Sequence, residues 1–397
     1  MLYFDEKKRL KPLRLDHYQR RAIRSDQNKE KDAVGLRVPL LGLFGETGSL
    51  LTLPKRKERE TSTYYRVSYT EEFGDVLWYI SNLASRHDLA LSAIARVDET
   101  LLAKKARALA TWSFRDVQKV PLQKLRGELN ASEEDFLALG AAVGRLLNHS
   151  ATQDWDLNRV EFGQHLARVF QLVARAATNT GIDLNLCAHN NLAKIESRWP
   201  ATYVYRALFD ARDKPNEQLP RRIVMYFEER KVRGKTYVFQ TCRGINIGDR
   251  LTDNRIEKDD YRFHDVFHLA YASILGWSPV IRALFQVKRK SKPSVDENQD
   301  GARAILIEEG IATWIFTHGL AHHLFRGVQR LDYTLLKAIR QLTTGYDGWK
   351  CPLWQWQDAI LEGFRVFREL KKHRRGWVIA DLEKRWIDFS VTEPRIK

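Results

Sequence analysis

The chain has 397 residues, enough for two or three domains, and its 44% hydrophobic and 29% charged content describes an ordinary soluble globular protein. Its net charge of +16 points to an anionic partner, nucleotide phosphates or nucleic acid, unless the charge serves solubility alone. Three well-separated cysteines (Cys187, Cys242, Cys351) with no CxxC pairing argue against a disulfide framework or a zinc ribbon and fit a reducing cytoplasm. The first residues, MLYFDEKKRLKPLR, lack the apolar core of a signal peptide, and no apolar run is long enough to cross a membrane, so a cytoplasmic protein is expected.

In chain order, Asp16 is placed to cap a helix running through Tyr18, Ala22 and Ile23. Residues 38–51, VPLLGLFGETGSLL, carry a helical stripe of Leu40, Leu43, Phe44, Thr47 and Leu51. Gly42, Gly45 and Gly48 interrupt it at a cost of roughly 1 kcal/mol each, so a close neighbour, helix or ligand, is expected there. Glu46 lies on that glycine face, Pro54 is expected to end the helix, and KRKERE follows as an exposed basic connector. A helix over 70–86 follows, with Phe73, Val76, Leu77, Ile80 and Leu83 at spacings of three and four. Glu72 and Asp75 sit three apart beside this stripe. They are either a solvated acidic edge or a pair held together by a divalent cation. Trp78 and Tyr79, next in line, read as core aromatics or as a platform for a base. A further helix is expected over Leu91–Ala110, with Ile94, Val97, Leu101 and Leu102 inward.

Residues 137–200 look like a degenerate second copy. LALGAAVGRLL at 137–147 echoes LGLFGETGSLL at 41–51, EFGQ at 161–164 echoes EFGD at 72–75, and GIDLNLCA at 181–188 echoes DLALSAIA at 88–95. Ala142 then stands for Glu46 and Gln164 for Asp75, so the second copy lacks the acids. It closes with NNLAKIESRWP, in which Asn191, Lys194 and Arg198 share one helical side, as a phosphate-facing strip or a solvated polar face. DARDKPNEQLPR at 210–221 is the expected domain boundary. Beyond it IVMYFEER and KTYVFQT, joined by VRG, predict a β-hairpin, and the remainder reads as helices ending near Phe389. There His264 and His268 are four apart, with Asp265 beside the first, Glu308 and Glu309 on the next helix, and His318, His322 and His323 further on. A helical HxxxH with a nearby carboxylate is a workable metal half-site, against the alternative of satisfied core or capping histidines. Basic stretches KRKERE, VKRKSK and KKHRR, with Trp349, Trp354, Trp356 and Trp377, could serve nucleic acid or be solvated faces and core tryptophans, and no nucleic-acid-binding motif is present.

GLFGETGSLL and EEFGDVLWYISNLA resemble the MazG-type all-α NTP pyrophosphohydrolases, with support from LDHYQRRA and GIDLNLCAHNNLAKIESRWP. The resemblance covers residues 14–200. It implies Mg²⁺, with Mn²⁺ as an alternative ion, bound by acidic residues on two helices, and cleavage of nucleoside or deoxynucleoside triphosphates to monophosphate and pyrophosphate. The role implied is nucleotide-pool control, or stress or phage defence. Glu46 takes the first acidic position of the motif, Glu72 and Asp75 the third and fourth. The second falls on Ser49, a departure: its hydroxyl can hold a metal-bound water but supplies no charge. Lys194 and Arg198 match the family's closing phosphate-binding helix with Asn191. Family members complete their site with a neighbouring bundle or subunit, so a homo-oligomer is one arrangement and an internal partner, copy two, is another. The expected fold is mainly α: a tandem MazG-like bundle over 1–209 (copy one 14–110, degenerate copy two 130–200), then an α+β, mostly helical domain over 220–397 that resembles the C-terminal domain of some bacterial MazG-type proteins. The alternative function is a non-hydrolytic nucleotide sensor whose C-terminal domain is the effector, itself a metal-dependent phosphohydrolase or nuclease.

Overall fold

The computed structural model describes residues 3–4, 10–27, 33–60, 65–96, 111–118, 133–152 and 159–395. The chain divides into two compact units, 1–201 and 202–397. It is mainly helical, with one antiparallel sheet in the second unit. Among the described residues no helix is long and apolar enough to cross a membrane.

The first unit comprises α1 (Leu15–Ala22), α2 (Ala33–Glu60), α3 (Tyr65–Arg86), α4 (Leu91–Arg96), α5 (Phe114–Gln118), α6 (Glu133–Thr152), α7 (Arg159–Asn179) and α8 (Leu184–Arg198). Helix α3 is helical for the reason its sequence suggests: Phe73, Val76, Leu77, Ile80 and Leu83 are all fully buried. It ends just before Asp88, whose positive φ of 51° cannot continue a helix. Helices α2 and α8 both pack on α3, and α6 packs on α2 and α7.

Several expectations are corrected here. Helix α2 does not stop at Pro54 but runs through it to Glu60. An internal proline costs about 3 kcal/mol; burial of Leu50 and Leu53 beside it supplies the compensating contacts. The buried stripe of α2 is Leu36, Leu40, Leu43, Thr47 and Leu50, whereas Phe44 is half exposed. Asp16 lies inside α1 and caps a different helix: its carboxylate accepts from Ser92 N (2.9 Å) and Ser92 Oγ (2.8 Å) in the first turn of α4. Val97, Leu101 and Leu102 lie outside the described residues.

In the second unit, β1 (Arg222–Val232) and β2 (Lys235–Cys242) form the expected hairpin. Arg233 (φ 49°) and Gly234 (φ 81°) both occupy the left-handed region that a tight two-residue hairpin turn demands. With β3 (Ile245–Asn246), β4 (Arg375–Asp381) and β5 (Trp386–Ser390) the sheet order is β3-β2-β1-β4-β5. The end of the chain is thus a second hairpin rather than helix, with Met225 of β1 opposite both Cys242 of β2 and Val378 of β4. Ile223, Met225 and Phe227 alternate inward. The core they join includes α9 (Asp265–Ala270), a π-turn at Tyr271–Leu275 and α10 (Pro279–Leu284), passes over α11 (Pro293–Gln299), which buries no residue, and continues with α12 (Ala302–Ala321), α13 (Tyr333–Leu342) and α14 (Leu353–His373).

Segment 210–221 is not a linker but lies within this unit. Asp210 is 1% exposed and accepts from Leu219 N (2.7 Å), Arg221 (2.8 Å) and Arg282 (2.7 Å). The basic loop 288–293 is likewise structural in part: Arg289 is buried and paired with Asp300 (2.7 Å) and Asp347 (3.2 Å). Trp354 and Trp356 are core residues, and Trp377 packs on Tyr226 across the β1–β4 pair.

Candidate functional site

Glu46 on α2 and Glu72 and Asp75 on α3 converge, one oxygen from each lying within 4.8 Å of the others. The two helices come close because Gly42 of α2 lies under the ring of Tyr79: an added Cβ would sit 2.1 Å from the tyrosine carbon. Gly45 and Gly48 have open space around them, so only the first of the three glycines is explained by packing. Tyr79 is therefore a wall of the acidic site, while Trp78 donates its indole N–H to Ser25 Oγ (2.9 Å) and Ala22 O (3.2 Å).

Helix α8 supplies the opposing charge. Lys194 Nζ donates to both oxygens of Asp75 (2.7 and 2.5 Å) and lies 3.9 Å from Glu71. Asn191 Nδ2 donates to Asp75 Oδ1 (3.0 Å), and Asn191 Oδ1 accepts from the buried hydroxyl of Tyr18 (2.8 Å). Gly74 makes this approach feasible: a Cβ there would lie 3.0 Å from Asn191 Cβ and 3.1 Å from the Cys187 carbonyl. Arg198, one turn on, lies over the Trp199 ring at 4.2 Å. Ser49 is half-buried on α2, three residues beyond Glu46. Glu71, which helical geometry turns away from Glu72, joins the site from the lysine side.

The electrostatics follow from this crowding. Burial, then the charges of Asp75, Glu46 and Glu71, push Glu72 up to about 8. Burial and Asp75 also raise Glu46, against the pull of Lys194. Burial alone would lower Lys194, but Asp75 and Glu71 hold it above its ordinary value. A cluster that resists its own negative charge in this way is suited to a hard cation with oxygen ligands. The sequence offers Tyr79 as one of two aromatics for a base platform, whereas Tyr18 and Gly74 are parts of the site that sequence reasoning missed. Of these, only the glycine within EEFGDV carried a readable signal. At the echo positions, Ala142 is buried and Gln164 exposed, and no acidic cluster forms there among the described residues.

The second constellation lies wholly within the C-terminal unit. His268 on α9 is fully buried, its Nδ1 2.9 Å from Glu308 Oε1. Glu308 also accepts from Ser278 Oγ (2.7 Å) and Val280 N (2.8 Å). His264 Nδ1 lies 2.9 Å from the Tyr261 carbonyl, and its ring stacks on that tyrosine at 4.3 Å. Glu309 Oε2 lies 3.4 Å from His268 Nε2 and 3.9 Å from His264 Nε2. Burial works to lower His268, but Glu308 and then Glu309 hold it well above its usual value. Burial keeps His264 below its own, against Asp265. His318, His322 and His323 do not join: His318 packs on Trp314, and the other two are exposed.

A family model described as the MazG C-terminal domain matches residues 204–393, which supports a MazG-related family for the second unit. No curated protein and no solved structure matches the chain.

Proposed function

We propose that the first unit is a MazG-type, Mg²⁺-dependent nucleoside triphosphate pyrophosphohydrolase, converting an NTP or dNTP to its monophosphate and pyrophosphate. The observation that carries this reading is the convergence of Glu46, Glu72 and Asp75 from two packed helices within 4.8 Å. The MazG C-terminal match is consistent with it at the level of the family. These three carboxylates are the residues that would hold Mg²⁺, or Mn²⁺ in its place. When bound, the ion supplies charge neutralisation of the phosphates and acidifies water. Whichever of Glu46 and Glu72 is not fully engaged by the ion would take a proton from the attacking water. Lys194 and Asn191, with Arg198 at the outer end of α8, would receive the phosphates, so α8 plays the internal partner to α2 and α3. Nucleotide-pool control or defence against phage is the physiological setting proposed.

The test is pyrophosphate release from a panel of NTPs and dNTPs with Mg²⁺, using wild type, Glu72→Gln and His268→Ala. Loss of turnover in Glu72→Gln alone supports the reading, and a wild type inert on every nucleotide refutes it. In the composite arrangement Lys194→Ala raises KM while Mg²⁺ still binds; an unchanged KM removes α8 from the site. One observation favours a second reading, a nucleotide sensor without turnover: Asp75 has both oxygens engaged by Lys194. Saturable nucleotide binding by an inert wild type would select that reading.

A further inference from the structure

The histidine cluster of the second unit has a feature that ordinary core packing does not explain. A backbone carbonyl can only accept, so the contact of His264 Nδ1 with Tyr261 O places a proton on Nδ1. Glu308, already accepting from Ser278 Oγ and Val280 N, draws the His268 proton to Nδ1 in the same way. Both anchored rings therefore present Nε2 to the same small space. His268 Nε2 is buried and makes no hydrogen bond there. Facing the two nitrogens are Glu309 Oε2, at 3.4 and 3.9 Å, and Asp265 Oδ1, 3.1 Å from His264 Nε2. The other oxygen of Asp265 is fixed by Gln240 Nε2 at 2.5 Å. The facing atoms call for positive charge between them, which a proton on His268 Nε2 supplies while the space is empty and a bound cation would supply in its place.

We propose that His264, His268 and Glu309 bind one divalent first-row transition ion of the zinc, cobalt or manganese class. Two imidazole nitrogens and one carboxylate oxygen suit such an ion and not Mg²⁺, which takes oxygen ligands. Metal–ligand bonds of about 2.0–2.1 Å put tetrahedral ligands roughly 3.3–3.5 Å apart, close to the 3.4 and 3.9 Å separations of the donors. Glu308 and the Tyr261 carbonyl are the outer partners that set the tautomer of each ring, as is usual for ligating histidines. Glu308 is thereby a positioning residue and not a ligand. Three protein donors leave a coordination position open, and Glu309, 39% exposed, brings the site to the surface.

The inference is independent of the proposed hydrolase activity, and its test keeps the two apart. Full-length protein stripped with a chelator is titrated with Co²⁺, reading bound metal by elemental analysis and ligation by the visible absorption of the ion. The variants are Glu72→Gln/Asp75→Asn, which disables the first unit's acids, Glu309→Gln and His264→Ala. The expected result is one Co²⁺ per chain in the double variant and no fewer in wild type, with at least about tenfold weaker binding at this site in Glu309→Gln and its visible band lost in His264→Ala. Glu309 is at the surface and its replacement is isosteric, so that variant decides the matter if His264→Ala fails to fold. No Co²⁺ on wild type, or unaltered affinity and spectrum in Glu309→Gln, overturns the site.

Discussion

Replacing Gly74 by alanine adds one methyl group where α8 crosses α3. That Cβ would lie 3.0 Å from Asn191 Cβ and 3.1 Å from the Cys187 carbonyl, whereas carbon atoms rest at about 3.5–4.0 Å. The helices must part by roughly half an ångström. Overpacking of this kind costs about 1–3 kcal/mol, while removing a glycine from a helix interior returns about 1 kcal/mol. Gly45→Ala on α2 is the matched control, since nothing lies within 4 Å of its added Cβ. It collects the helix gain without the clash. The gap between the two variants therefore isolates the strain, about 1–3 kcal/mol. For a unit of this size each kcal/mol moves the midpoint by about 2–4 °C. Differential scanning calorimetry should place Gly74→Ala below Gly45→Ala by about 2–12 °C. Parting the helices also stretches the Asn191–Asp75 hydrogen bond, now 3.0 Å, so a higher KM should accompany the lower midpoint. Equal midpoints for the two variants would refute the claim that Gly74 sets the distance between α3 and α8.

Two further outcomes follow from the first unit. Glu72 binds its proton more tightly in the fold, at about 8 against an ordinary 4.5, so without divalent cation the stability falls as pH rises through that window. Melts between pH 5 and 9 should show this slope, flattened in Glu72→Gln and by added Mg²⁺; a slope unaltered by the substitution contradicts the assignment. Asp16→Ala removes the acceptor for Ser92 N and Oγ at the start of α4. It should cost about 1–2 kcal/mol, read as a lower urea midpoint with an unchanged slope, and an unshifted midpoint would show the cap to be idle.

What the sequence made legible was local. The stripe of α3 and the three acids could be read because helical spacing maps directly onto a face, and every stripe residue chosen there is buried. The β1–β2 hairpin was legible because its turn residues carry their own geometry. Long-range roles were not. Nothing near Asp16 indicates that its partner lies 76 residues away, and Tyr18 gives no hint that it will orient Asn191. Pro54 misled because propensity stops a helix only when packing does not hold it. Strands β4 and β5 were read as helix because their pairing with β1 is invisible in their own residues. Arg289 was read as part of a solvated basic loop, when Asp300 and Asp347 draw it inward.

The position of β1 in the sheet has a consequence for how the second unit is made. This central strand bonds on one side to β2, its neighbour in sequence, and on the other to β4, which begins more than 140 residues later. The first hairpin can close as soon as it leaves the ribosome, on a microsecond scale. Its other edge must then wait for β4, and at about 5–20 residues per second that is roughly 7–30 s. During this interval the strand carrying Ile223, Met225 and Phe227 is an unpaired apolar edge, the kind that recruits other chains. Nascent chains released before β4 should aggregate through β1, and the yield of folded protein should depend on how fast translation covers that stretch.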